Sequence, residues 1–203
     1  MATKTFTLIR HGKVNGKPAL NGYTDVALSE QGYNDLKNTI EKIHAALAVD
    51  NIVASPLIRC AIPAREFSEK YQTPLQLDPQ FKEMHFGTWD GIPFDDLVNE
   101  WQHLEAFWNS PFLNHPPEGE TLAAFAKRVI DAWENLMQRA SGEHNLIVCH
   151  GGVIRIILAH ILQMDWRNAN LFKQLHIDFS SYSRIEIADH EGALPAVKCI
   201  GVV

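Results

Sequence analysis

Cysteine is scarce in this chain of 203 residues, and the three that occur, Cys60, Cys149 and Cys199, stand far apart. An odd number of scattered thiols speaks against a disulfide framework, and none forms a zinc-type pair. Reduced, mostly buried side chains are the expectation. Long apolar runs are missing as well. No stretch reaches membrane-spanning length, and the first residues lack the charged-then-apolar pattern of a secretory signal, so a cytoplasmic protein is expected. Positive charge is not in surplus. The net charge of −6 at pH 7 argues against a nucleic-acid or membrane-surface binder, which would carry a basic face. It leaves room for a small basic pocket, whose field is local. Repeats and low-complexity segments are absent too. What remains is 46% hydrophobic and 21% charged, the composition of a globular protein. The length suits one α/β domain with a sizeable core and is short for two.

What is present begins with residues 5–12, Thr-Phe-Thr-Leu-Ile-Arg-His-Gly. A strand buried in a parallel sheet reads as a nearly continuous apolar run, and Phe6, Leu8 and Ile9 fit one. A guanidinium and an imidazole follow where strand gives way to loop. In open α/β sheets, ligands bind at the carboxyl ends of strands. An imidazole there can act as a nucleophile, and the adjacent Arg can grip a phosphate with its planar fork.

Beyond a polar loop at 13–28, Ser29 can cap a helix in which Tyr33, Leu36, Ile40, Ile43 and Leu47 recur at helical steps. Asn51 to Ala54 reads as a second strand. Leu57 to Tyr71 reads as a helix that Pro63 would kink unless the helix begins near it. Leu75 to Leu77 suits a third strand. Residues 81–117, rich in aromatics, Gly and Pro, read as a cap-like insertion with short helices. Thr121 can cap a helix carrying Leu122, Phe125, Val129, Ile130, Trp133 and Leu136. Leu146 to Cys149 reads as a fourth strand, Gly152 to Leu162 as the next helix, and 181–203 as two strands joined by a turn near Asp189 to Gly192. This alternation predicts a three-layer α/β sandwich with a mostly parallel central sheet and helices on both faces.

Three further segments carry related chemistry: Ala54-Ser55-Pro56-Leu57-Ile58-Arg59-Cys60-Ala61, Phe81-Lys82-Glu83-Met84-His85-Phe86-Gly87-Thr88-Trp89-Asp90-Gly91, and Leu146-Ile147-Val148-Cys149-His150-Gly151-Gly152-Val153. With the Arg-His-Gly triplet they resemble, in order and spacing, the histidine phosphatase superfamily, also called phosphoglycerate-mutase-like. The likeness spans residues 5 to about 160 and implies a single domain of that type over 1–203. The stretch Gly22-Tyr23-Thr24-Asp25-Val26-Ala27-Leu28-Ser29 and the compact size make the chain look most like the α-ribazole phosphatase branch.

A phosphate monoester dianion repels nucleophiles. A site must therefore neutralise it, present a nucleophile in line and protonate the departing oxygen. The resemblance assigns the nucleophile to His11. Arg10 and Arg59 fit a phosphate clamp, each able to give two parallel hydrogen bonds. Arg59 also stands at a strand-to-helix crossover that favours an anion. His150 precedes a Gly pair with no obvious packing need. It is expected to hydrogen-bond a phosphate oxygen as the cation and to steady the transition state. Glu83 is the candidate proton donor and acceptor, and only the resemblance brings it near His11. A neighbouring phosphate favours the protonated form of a carboxyl group, which suits that role. Asp90 reads as loop structure and Glu120 as a residue near the positive end of a helix dipole. Either Asn15 or Asn21 could contact phosphate. Lys13 stands where many family members have an acidic residue, and this bears on which substrates are steered in.

No cofactor and no metal are called for, since no His, Cys or carboxylate pair has metal-site spacing. The expected partner is a small phosphorylated metabolite rather than nucleic acid or membrane, with self-association into a homo-oligomer left open. The resemblance implies hydrolysis through phosphohistidine, with α-ribazole 5′-phosphate, used in building the cobalamin nucleotide loop, as the foremost substrate. Met84-His85-Phe86-Gly87 stands where glycolytic mutases carry Arg-His-Tyr-Gly, and the mutases' long insertion is lacking. Both favour phosphatase over mutase. Phe94, Trp101, Phe107, Trp108 and Phe112 fall in the insertion and could stack on a flat base. A mutase-like transferase, a broad sugar phosphatase and a non-catalytic phospho-ligand sensor are the alternatives. The presence of an acid among the site residues speaks against the sensor.

Overall fold

A computed structural model describes residues 3–188, 190 and 192–203. Alternation along the strands decides the layers. In β1 (Thr3–Arg10) and β4 (His144–Cys149), Phe6, Leu8, Ile147 and Cys149 face one apolar cluster, while Ile9, Leu146 and Val148 face a second. Side chains one residue apart on a strand point to opposite faces. An apolar run without alternation therefore needs cover on both sides.

One cover is α1 (Glu30–Ala46) and α2 (Ile58–Tyr71), which bring Leu36, Ile40, Ile43, Cys60 and Phe67 to the second cluster. The other is α4 (Leu122–Arg139) and α5 (Gly151–Ile161), joined by the segment around α3 (Trp101–Asn109). Phe6 meets Trp133 of α4 edge-on, with ring centroids 5.2 Å apart. Such a pair adds about 0.5–1.5 kcal/mol beyond the area it buries. The caps fall where the sequence puts them. The Ser29 hydroxyl accepts from Gly32 N at 3.0 Å and that of Thr121 from Ala124 N at 3.1 Å. Leu47, expected inside α1, is its half-exposed C-cap.

The sheet order is β3-β2-β4-β1-β5-β6, with β2 at Asn51–Ala54, β3 at Leu75–Leu77, β5 at Tyr182–Ala188 and β6 at Ala196–Val202. The first four strands are parallel; β5 and β6 add antiparallel. This is the expected three-layer α/β sandwich. The turn expected near Asp189 to Gly192 includes Asp189 and Glu191, which lie outside the described residues. Helix α2 does not begin at Pro63 but five residues earlier. Its start is secured from outside, because the Asp25 carboxylate accepts Ile58 N at 2.7 Å. A short α6 (Asn170–Lys173) was not foreseen. Among the described residues no helix is long and apolar enough to cross a membrane.

Candidate active site

Register brings the chemistry together. Arg10 pairs with Cys149 across β1 and β4, and Ala54 with Val148 across β2 and β4. The residues that step off these strand ends, His11, His150 and Ser55, therefore emerge side by side. The imidazoles of His11 and His150 lie 5.1 Å apart between centroids. The Ser55 hydroxyl and His150 Nε2 are 2.8 Å apart. This is the carboxyl end of adjacent parallel strands, where α/β sheets hold ligands.

His11 is buried, and its Nδ1 lies 2.8 Å from the Gly12 carbonyl. A carbonyl only accepts, so Nδ1 carries the proton and Nε2 keeps its lone pair. Burial, then the charges of Arg59 and Arg10, hold the ring well below the usual imidazole range, against a smaller opposing effect of the Gly12 bond. His11 is thus a neutral imidazole with a free basic nitrogen. The turn needs glycine at 12, because a Cβ there would lie 1.9 Å from the Gly32 carbonyl oxygen of α1.

Arg10 donates through Nη1 to the Ile177 carbonyl at 2.6 Å and lies under the Phe179 ring, 3.8 Å from its centroid. Burial lowers its pKa to about 10, opposed chiefly by Glu83, so it remains charged at neutral pH. Arg59 is fully buried. It donates through Nη1 to the Thr24 carbonyl (2.9 Å) and through Nη2 to those of Asn21 (3.0 Å) and Gly22 (2.7 Å). Asp90 grips the same loop through the N–H groups of Gly22, Tyr23 and Thr24 at 2.8–3.1 Å and also accepts Phe86 N from its own segment at 3.0 Å. Burial pushes the Asp90 carboxyl up, but those donors outweigh it and the net shift is downward. Asp90 is loop structure, as read. Arg59 is more than a clamp: most of its fork builds the loop, and Nε alone lacks a partner.

His150 caps α5 and is fully buried. Burial first, then Arg59, His11 and Arg10, keep it well below the usual range. The ring expected as a cation is therefore held toward its neutral form here, by burial first and by its positive neighbours second. The Ser55 hydroxyl can donate to Nε2, leaving the proton on Nδ1, which has no partner. Arg10 Nε, Arg59 Nε, His150 Nδ1 and Ser180 Oγ are all buried without a protein partner. Ser180 belongs here through its N–H, which is shared by the Arg10 and His11 carbonyls at 3.2 Å each. Native structures seldom leave buried polar atoms unpaired. Three of these four, on Arg10, Arg59 and His150, belong to groups close enough for their charges to act on one another, and together they mark a place for an anion rich in acceptor oxygens.

Glu83 closes the site from the insertion. Its Oε2 accepts Gly152 N at 3.0 Å and Oε1 accepts Met84 N at 3.0 Å. The Gly pair does have a packing need, contrary to expectation: a Cβ on Gly152 would sit 2.3 Å from Glu83 Oε1. Glu83, Gly152 and Arg155 also border a pocket of about 220 Å³ walled by Met84, Phe86, Phe107, Trp108, Leu122, Phe125 and Phe172. Of the aromatics expected to roof the site, Phe107 and Trp108 line it. Phe94 and Trp101 instead back Trp108 edge-on, and Phe112 packs on Trp166.

Ser55, Arg155 and Phe179 were missed. For Ser55 a signal existed, since it is the first residue after β2 just as His11 and His150 follow β1 and β4. Asn15 donates through Nδ2 to the Leu28 carbonyl at 3.1 Å, whereas no hydrogen bond of the Asn21 side chain is found among the described residues. Lys13 is exposed. Burial pushes the Cys60 thiol up to about 12 and raises that of Cys149 well above its ordinary value, so neither is a nucleophile.

A family model described as histidine phosphatase superfamily (branch 1) matches residues 6–199. The adenosylcobalamin/alpha-ribazole phosphatase of Salmonella typhimurium is 30% identical over 185 residues, covering 90% of each chain. A probable phosphoglycerate mutase, GpmB, of Erwinia tasmaniensis is 25% identical over 88% of this chain and 83% of its own. Among solved structures, the YhfR protein of Bacillus stearothermophilus superposes with a TM-score of 0.88 at 26% identity, covering 98% of both chains.

Proposed function

This chain belongs to the histidine phosphatase superfamily (branch 1), and from that premise we propose that it hydrolyses α-ribazole 5′-phosphate, in assembly of the cobalamin nucleotide loop, through a phosphohistidine on His11. The observation that carries the covalent reading is His11 itself. It is a neutral ring, its Nδ1 is tied to the Gly12 carbonyl, and it feels the charges of Arg59 and Arg10, each of which has a buried Nε without a partner.

His11 Nε2 attacks phosphorus in line. The P–N bond forms as the ester P–O bond breaks, and the protonated Glu83 carboxyl gives its proton to the departing oxygen. Arg10, Arg59 and His150 hold the non-bridging oxygens and stabilise the charge that shifts onto them. Water then attacks phosphorus, Glu83 takes its proton, the P–N bond breaks and His11 is restored. Positive charge comes from side chains, so the reading needs no metal.

The substrate reading rests on two supports. The Salmonella relative carries that substrate in its name. The pocket beyond Glu83 has a mostly apolar, aromatic wall, suited to a flat base, with Arg155 at its edge for a polar sugar. Residues 81–117 act in this reading as a cap over a single domain.

The test joins trapping to turnover. Wild-type protein quenched during reaction should carry acid-labile, base-stable phosphate. His11→Ala should lose more than about a thousandfold in kcat while staying folded, since a nucleophile has no substitute. α-Ribazole 5′-phosphate should show the highest kcat/KM in a panel of phosphomonoesters, undiminished by chelator. Substantial turnover by His11→Ala overturns the covalent mechanism, and a better sugar phosphate in the panel overturns the substrate.

A further inference from the structure

Arg128 lies on α4, away from the strand ends, yet its hydrogen bonds go to the run leading into Glu83 and to Glu120. Its Nη1 donates to the carbonyls of Gln80 (2.6 Å) and Lys82 (2.9 Å), and Nη2 to that of Glu83 (2.9 Å). Nε and Nη2 also form a fork to the Glu120 carboxylate at 2.7 and 2.9 Å. Glu120 in turn accepts His85 N at 3.3 Å, and its own N–H donates to the His85 carbonyl at 2.8 Å. Glu120 is therefore not the helix-dipole residue its sequence position suggests. It is the second jaw of a clamp whose side chains are 15% and 14% exposed.

Residues 82–86 have no regular secondary structure, so no ladder of backbone bonds fixes them. Backbone polar groups in a partly buried loop still need partners. Arg128 supplies two of them, at Lys82 and Glu83, and a third just before the segment at Gln80, and Glu120 supplies two at His85 on the far side. An ion pair this buried is weak evidence of stability in its own right, because desolvation offsets its attraction. Its orientation across the Glu83 segment is what calls for a reason.

We propose that the Arg128–Glu120 pair is a positioning device that aims the Glu83 carboxyl at the leaving oxygen. This deepens, and rests on, the reading of Glu83 as proton donor. The guanidinium suits the task because its five donors lie in one rigid plane. A lysine has three donors on one nitrogen and cannot reach acceptors spread over four residues. Positioning matters to this degree because a displacement of about 1 Å can cost on the order of a hundredfold in rate.

The experiment compares kcat/KM for an alkyl phosphate and for p-nitrophenyl phosphate in Glu83→Gln, Arg128→Lys, Glu120→Gln and the Glu83→Gln/Arg128→Lys double variant, with melting temperatures alongside. A nitrophenolate leaves with little help from an acid, whereas an alkoxide needs the proton. Glu83→Gln should lower the alkyl rate by about a hundred- to ten-thousand-fold and the aryl rate far less. Arg128→Lys should show the same selectivity at about ten- to a hundredfold, and Glu120→Gln the same direction. In the double variant Arg128→Lys should leave the alkyl-to-aryl ratio where Glu83→Gln alone puts it. A structural role would slow both esters alike, and that outcome overturns the clamp while Glu83 keeps its part. A further change of ratio in the double variant overturns it too. If Glu83→Gln itself shows no selectivity, the donor reading fails and takes the clamp with it. Should Arg128→Lys not fold, Glu120→Gln decides by the same ratio.

Discussion

The two halves of the site are built by different means. The phosphate half, with His11, Ser55 and His150, sits on consecutive strand ends whose relative height is set by sheet register. The leaving-group half, with Glu83, Phe107 and Trp108, hangs on loops, short 3-10 turns and one nine-residue helix, held by side-chain contacts. Backbone ladders are repeated and hard to shift. Side-chain contacts are singular, so each can be altered alone. The difference teaches where the site is rigid and where it can change: on the proposed mechanism, attack on phosphorus would belong to the sheet and the choice of alcohol to the insertion.

The largest expected effect tests the phosphate half. His11 and His150 are buried neutral, with proton affinity held down in the fold. Below the unfolded value of about 6.5, the unfolded chain binds protons that the folded chain refuses, so stability falls as pH falls. Each ring contributes up to about 1.4 kcal/mol per pH unit, about 3 kcal/mol together, and nothing above that pH. Urea unfolding of wild type and of His11→Gln between pH 7.5 and 5.5 should show the steeper loss in wild type. Equal slopes would mean that the strand ends do not impose this neutrality. No histidine lines the leaving-group pocket, so no such slope comes from there.

Next in size is Gly152→Ala, at the seam between the halves. The added methyl meets Glu83 Oε1 at 2.3 Å and Phe125 Cζ at 3.2 Å, and the carboxylate must move. About a hundredfold loss on alkyl esters is expected, with the aryl ester much less affected and the phosphohistidine still trappable. Loss of trapping would show that the seam disturbs the sheet side as well.

The smallest effect belongs to the insertion. Trp108→Ala should raise KM for α-ribazole 5′-phosphate by about tenfold, the worth of roughly 1.4 kcal/mol of lost ring contact. KM for a phosphorylated sugar, which offers no ring to stack, should stay within about twofold. A parallel rise for both esters would deny the pocket its selectivity.

The same division governs what could be read from the chain. Strands β2 and β3 match their expected bounds residue for residue, since each is too short for a helix and is bounded by turn-forming residues. Ser29 and Thr121 were legible as caps, since their chemistry is local. His11, Arg10, Arg59 and His150 were legible as motifs, but their meeting depends on the pairing of β1 with β4, some 139 positions apart in Arg10 and Cys149. The pairs on the insertion side, Gly152 with Glu83 and Arg128 with Glu120, were not legible. Each joins residues whose local roles looked complete: a glycine at a helix start and an acid near a dipole. Arg59 shows the limit from the other side. Its type announced an anion, yet type alone could not reveal that three loop carbonyls claim most of its fork.

If phosphoryl transfer runs through His11 as proposed, the bond from its Nδ1 to the Gly12 carbonyl has a consequence for how the ring leaves phosphorus. A phosphorylated imidazole that had lost its second proton would have to depart as imidazolate, a strong base and a poor leaving group. With Nδ1–H retained against a carbonyl that cannot accept the proton outright, the ring departs from phosphorus as neutral imidazole. On that mechanism the covalent state would be short-lived, and the ring would be ready for the next ester as soon as phosphate leaves, with no proton to recover.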